Sequence, residues 1–130
     1  MEILKNGTII GNWQQEKWEK IAPGVEQLLV SGKGMTLSFQ RIGPEASGVN
    51  ASRPGRGHRH DDVEQLTILL AGHGTVIVDG KRYPVKKGSH WLAPSGVDHT
   101  FDLCESPAEI TLLQLFPGPK RPPNVPHGYD

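Results

Sequence analysis

His58, His60, Gln65 and His99 are the residues whose types and spacing offer the most chemistry: three imidazoles and a side-chain oxygen can converge on one divalent cation. His58 and His60 are two apart, so on an extended segment both rings project from one face and can chelate together. Gln65 follows His60 by five residues, and His99 lies thirty-four residues beyond Gln65. Antiparallel strands must therefore gather them. Such a set leaves one or two coordination positions for water or substrate. Three imidazoles clustered without a metal would repel one another when protonated and compete for few partners when neutral. One divalent transition-metal ion, Ni, Zn, Fe, Mn or Co, is the expected cofactor.

The fourth ligand has two candidates. Glu64 and Gln65 are adjacent and face opposite ways on a strand, so only one can coordinate. Alternation groups Glu64 with Leu66, Ile68 and Leu70, the greasier face, which reads as a barrel interior and favours Glu64. Gln65 falls with Thr67, Leu69 and Ala71. A neutral amide beside three neutral imidazoles would leave the ion's charge uncompensated, strengthening it as a Lewis acid and as a binder of anionic oxygen. Arg53, Arg56 and Arg59 surround the histidines, and Lys86, Lys87, Lys120 and Arg121 can add positive rim charge. Singly, each reads as a solvated loop charge. As a set they suit an anionic small-molecule substrate.

The elements that must position these residues are strands. Sixteen glycines and eleven prolines in 130 residues, with scarce helix-period runs, fit a turn-rich all-β domain. A chain of this length is one domain, burying roughly two thirds of its unfolded surface around a single core. Residues 1–22 have no clean periodicity and read as a strand or turn packing across a barrel. Val25 to Val30, a Ser31-Gly32-Lys33-Gly34 turn and Met35 to Ile42 form a hairpin, with Met35, Leu37 and Phe39 alternating with Thr36, Ser38 and Gln40. Gly43 to Gly57 is a long irregular loop. Val63 to Ala71, Thr75 to Val78, an Asp79-Gly80 turn of type I′, Lys81 to Val85, Trp91 to Ala93, His99 to Leu103 and Ile110 to Phe116 follow. Eight or nine short strands predict a jelly-roll barrel. The tail from Pro117 to Asp130 holds five prolines and reads as extended.

Fourteen basic residues balance fourteen acidic ones, which excludes a global field steering the protein onto nucleic acid or an anionic membrane. The first residues lack the pattern of a secretion signal, no apolar run approaches bilayer-spanning length, and the expected location is cytoplasmic. Cys104 is the single cysteine, so no intrachain disulfide forms, and it reads as a small apolar filler.

With these residues in view, the chain resembles the cupin superfamily over roughly residues 40–117. That family's first motif is matched by His58, His60, Gln65 and Gly72, and its second by Gly88, Pro94, Ser95, Gly96 and His99, with Leu103 where an asparagine usually ends it. The resemblance implies a cupin jelly-roll β-barrel, the double-stranded β-helix, as a single domain over 1–130 with a core of about 35–117. Its ligand-to-glycine distance selects Gln65 over Glu64.

Glu64-Gln65-Leu66-Thr67 with Leu69, Leu70 and Gly72 looks like the single-domain KdgF group of pectin-degradation cupins, as do Trp18-Glu19, Gly24-Val25, Leu112, Leu113 and Phe116. Members of that group open 4,5-unsaturated uronates into linear keto acids at a His-His-Gln-His metal site. The resemblance therefore implies His58, His60, Gln65 and His99 as ligands and Phe116 as a pocket wall. Gln114 stands where the group has a catalytic aspartate and Lys120 where it has an arginine, and a glutamine cannot shuttle a proton. Gln114, Lys120 and Glu64 are the acid–base candidates, and Thr67, Trp91 and Phe116 the pocket candidates.

The expected function is non-redox lyase, isomerase or tautomerase chemistry on a small carboxylate or unsaturated uronate. A metal-dependent dioxygenase and a non-catalytic metal- or sugar-binding sensor are the alternatives. Resemblance to single-domain cupins also implies a homodimer, for which Leu66, Ile68 and Leu70 could supply an apolar face. His73, His90 and His127 read as surface histidines, Asp98 as pointing away from His99, and Tyr83 as a polar group within reach of the site.

Overall fold

Residues of alternating character build short strands, and the glycines and prolines between them set where each strand reverses. The computed structural model describes residues 1–45, 64–102 and 109–118, apart from the Phe116 side chain. Among them are eleven strands: β1 (Glu2–Ile3), β2 (Ile9–Ile10), β3 (Glu19–Ala22), β4 (Val25–Ser31), β5 (Met35–Ile42), β6 (Gln65–Ala71), β7 (His73–Val78), β8 (Lys81–Lys86), β9 (His90–Ala93), β10 (His99–Phe101) and β11 (Ile110–Pro117). β1 and β2 pair with each other, β10-β7-β8 form a three-stranded sheet, and β3-β4-β5-β11-β6-β9 form a six-stranded sheet. Every pairing is antiparallel. The fold is the expected all-β jelly roll, with two strands more than the sequence predicts because the pair β1–β2 carries no periodic pattern.

The two larger sheets meet face to face. Val25, Ile42, Leu69, Ile110 and Leu112 from the six-stranded sheet pack with Phe101 from β10, and Ala22, Val85 and Trp91 close around them. Burying a side chain of this size contributes roughly 1.5–3 kcal/mol. Close approach is built into the β6–β7 corner. A Cβ on Gly74 would lie 2.3 Å from the Phe101 ring, so that ring reaches the core only because position 74 has no side chain. Asp79 and Gly80 both have positive φ, as the type I′ turn between β7 and β8 requires.

The register of β6 on β11 runs unbroken from Leu66 to Leu69 and then admits one extra residue, so that Ala71 pairs with Thr111. A bulge of this kind bends its strand and increases the local twist. It also ends the strict alternation at Leu70.

The amino-terminal segment does cross the barrel, on its outer side. Trp13 and Trp18 pack on Phe39 with ring centroids 6.1 and 6.3 Å away, and the Arg41 guanidinium lies 3.8 Å over the Trp18 ring. Beyond this cover the outer face of the six-stranded sheet stays apolar and partly open, with Leu37, Leu66, Ile68, Leu113 and Leu115 half-buried and Met35 and Leu92 exposed. No helix among the described residues is long and apolar enough to cross a membrane.

Candidate metal centre and pocket

Gln65 is the first residue of β6 and faces Ala93 of β9. It shares the inner face with Thr67 and Leu69, and all three are buried, at 3%, 2% and 0% exposure. Glu64 precedes the strand and is exposed. The greasier set, Leu66, Ile68 and Leu70, is the outer face, so hydrophobic pattern by itself points the wrong way here. Outward apolar residues still lose half their exposure, and the inward ones need not be apolar if the lumen holds polar groups.

His99 opens β10 after a turn in which the Val97 amide donates to the Pro94 carbonyl, and its ring is buried. Its Nδ1 donates to the Val97 carbonyl at 2.9 Å, because a carbonyl oxygen can only accept. In the neutral ring this leaves a lone pair on Nε2, and that atom faces the Gln65 Oε1 at 3.2 Å. Two acceptors so placed are reconciled by the Gln65 amide turned to donate its N–H to the ring, or by a cation shared between them. Metal–ligand bonds of ~2.0–2.2 Å at tetrahedral or octahedral angles set adjacent ligand atoms ~2.8–3.6 Å apart. The pair therefore fits two neighbouring ligands of one ion, with the Val97 carbonyl fixing the tautomer that such a ligand needs. His58 and His60 lie outside the described residues, and no group of three His, Cys, Asp or Glu side chains is gathered among the described ones.

From this pair the inner face of the six-stranded sheet continues as neutral polar groups. Cross-strand register aligns Leu29, Ser38, Gln114, Thr67 and Trp91 in one row and Gln27, Gln40, Leu112 and Leu69 in the next. Gln27 Nε2 donates to Ser38 Oγ at 2.9 Å, and Thr36 Oγ1 donates to the Gly118 carbonyl at 2.9 Å. Gln40 and Thr67 are each 2% exposed, and among the described residues neither side chain has a hydrogen-bond partner. A buried polar group left in that state costs roughly 1–3 kcal/mol. Sequence reasoning singled out Thr67 but missed Gln27, Ser38 and Gln40. The alternation in β5 marks Ser38 and Gln40 as one face, but it does not say which face is inside.

The remaining candidates fall on both sides of the barrel wall. Trp91 stacks on Phe101 at 6.4 Å between centroids and packs against the apolar cluster. Gln114 is half-buried on the inner row between Ser38 and Thr67. His73, His90, Asp98 and Tyr83 are exposed, and the Asp98 carbonyl accepts from the Asp79 amide. Lys120, Arg53, Arg56, Arg59, Arg121, Cys104, His127 and the Phe116 side chain lie outside the described residues.

A family model described as the cupin domain matches residues 49–115. Solved structures with this fold include KdgF from Halomonas sp., 18% identical with a TM-score of 0.67, covering 88% of this chain and 96% of that one. An RmlC-like cupin from Shewanella frigidimarina is 19% identical, TM-score 0.65, covering 88% and 94%. A predicted oxalate decarboxylase from Thermotoga maritima is 16% identical, TM-score 0.65, covering 85% and 99%. A search of curated proteins found no match.

Proposed function

We propose that this chain, which belongs to the cupin family, holds one divalent transition-metal ion through His58, His60, Gln65 and His99 and carries out non-redox lyase, isomerase or tautomerase chemistry on a small carboxylate or unsaturated uronate. The observation that supports this most is the buried approach of His99 Nε2 to Gln65 Oε1 at 3.2 Å, the spacing of two neighbouring ligand atoms on one ion. When bound, the ion supplies a Lewis acid that draws electron density from a substrate carbonyl or carboxylate oxygen. In the tautomer whose Nδ1–H donates to the Val97 carbonyl, His99 presents Nε2 as the ligating atom. Gln65 contributes an uncharged oxygen, so an all-neutral ligand set leaves attraction for an anionic substrate.

Proton movement is the step these residues constrain most. Gln114 carries no ionisable proton. Transfer therefore runs through water, through Glu64 just before β6, or through Lys120. The same glutamine favours a second reading, a module that binds metal and sugar without turnover. Loss of the conjugated ultraviolet absorbance of 4,5-unsaturated galacturonate by metal-loaded protein, abolished in His99→Ala together with metal uptake, is the expected outcome. Full metal loading with unchanged absorbance would remove the uronate reaction, and failure of a broad substrate screen as well would favour the binding module.

A homodimer completes the proposal, supported by the apolar outer face on which Leu66 and Ile68 are half-buried and Leu92 is 55% exposed. Sedimentation at twice the chain mass is expected, and a monomer at micromolar concentration removes it.

A further inference from the structure

At the aliphatic end of the barrel the outer face of the six-stranded sheet carries a row of alternating charge. Register sets Lys20 opposite Glu26 and Glu26 opposite Arg41, and facing residues of opposite sign ordinarily attract across strands. Among the described residues these three form no ion pair. They stand instead around a cleft of about 430 Å³, lined also by Gly24 and Gly43 and by two further carboxylates, Glu45 and Glu109. Pockets that hold small molecules begin near ~300 Å³. Arg41 is half-buried, with its guanidinium 3.8 Å from the Trp18 ring centroid, and it donates no hydrogen bond to a described residue. The indole takes one face of the guanidinium and leaves the N–H groups at its edge for another acceptor.

We infer that this cleft binds a small amino acid, a dibasic one best, with its carboxylate on Arg41 and its ammonium groups on the glutamates. A planar guanidinium holds both oxygens of a carboxylate in parallel. An anion with no positive group would face three carboxylates, and a simple diamine would leave Arg41 without an acceptor. A zwitterion meets both signs. Three glutamates against two cations leave one negative charge over, so a ligand of net positive charge completes the match. The cleft lies outside the lumen. Arg41 is level with Thr111, and Thr111 with Ala71, six residues along β6 from Gln65, or ~20 Å. Binding there is independent of the metal centre.

Titration calorimetry at low ionic strength with L-lysine, cadaverine and L-norleucine tests each half of this match. Cadaverine is lysine without the carboxylate, and norleucine is lysine without the side-chain ammonium. L-lysine is expected to bind about tenfold more tightly than either, as one charge-assisted contact allows. Arg41→Gln should lower L-lysine affinity to that of cadaverine and leave cadaverine no weaker. Arg41→Lys, which keeps the charge without the parallel donors, should fall between. Glu26→Gln should weaken L-lysine and cadaverine alike, about fivefold. Metal-free and metal-loaded protein should give the same values, so loss of the proposed reaction would leave this site standing. No L-lysine binding, equal affinity for the three probes, or L-lysine affinity that survives both Arg41→Gln and Glu26→Gln overturns the assignment. Sedimentation of the same variants covers the competing explanation: if Glu26→Gln lowers the mass while L-lysine goes unbound, the charged row belongs to a contact between copies of this chain and the assignment falls.

Discussion

Along β5 the inner face runs Thr36, Ser38, Gln40 and then Ile42, while along β11 it runs from Gln114 to Leu112 and Ile110. One end of the barrel lumen is thus lined by hydroxyls and amides and leads to Gln65 and His99, and the other is closed by the aliphatic cluster around Leu69 and Phe101. The same ladders serve both. Stability is concentrated where dispersion and apolar burial act, and the buried hydroxyls and amides are kept to the other end. A fold that separates the two along one strand can change either with little effect on the other.

That separation is strongest if broken at its aliphatic end. Leu69→Ala removes a fully buried side chain and is expected to lower the unfolding free energy by about 2–5 kcal/mol. Metal stoichiometry of the folded fraction should stay at the wild-type value. Denaturant unfolding paired with elemental analysis checks both, and a stable variant that had lost its metal would show that the two ends are not independent. Ser38→Ala sharpens the same contrast with a smaller effect. It removes the acceptor for Gln27 Nε2 and should cost roughly 0.5–1.5 kcal/mol. A loss above about 3 kcal/mol would mean that the polar end also carries the core.

The β4–β5 hairpin, the Asp79-Gly80 turn and the all-β jelly roll were legible because period-two alternation and turn residues are local signals. The pairing of Gln65 with His99 was legible only through motif spacing, since thirty-four residues separate them. Which face of β5 and β6 is inside was not legible. Ordinary sheets put the apolar set inward, but here Phe39 is covered from outside by Trp13 and Trp18, and the lumen is polar where β5 carries Thr36 and Ser38. A burial rule cannot distinguish a polar chamber from solvent, because both accept the same residues. The strand pair β1–β2 escaped notice because two-residue strands have no period to detect.

The alternation within these ladders has a practical consequence. Positions 27, 38, 40, 67 and 114 project from hydrogen-bonded strands rather than from loops, and each is separated from its inner-face neighbours by a residue that points the other way. Combinatorial libraries randomised at those five codons alone would repaint the chamber while leaving backbone register intact. The barrel is therefore a scaffold whose inner surface can be altered by point changes, with no need to graft or lengthen a loop.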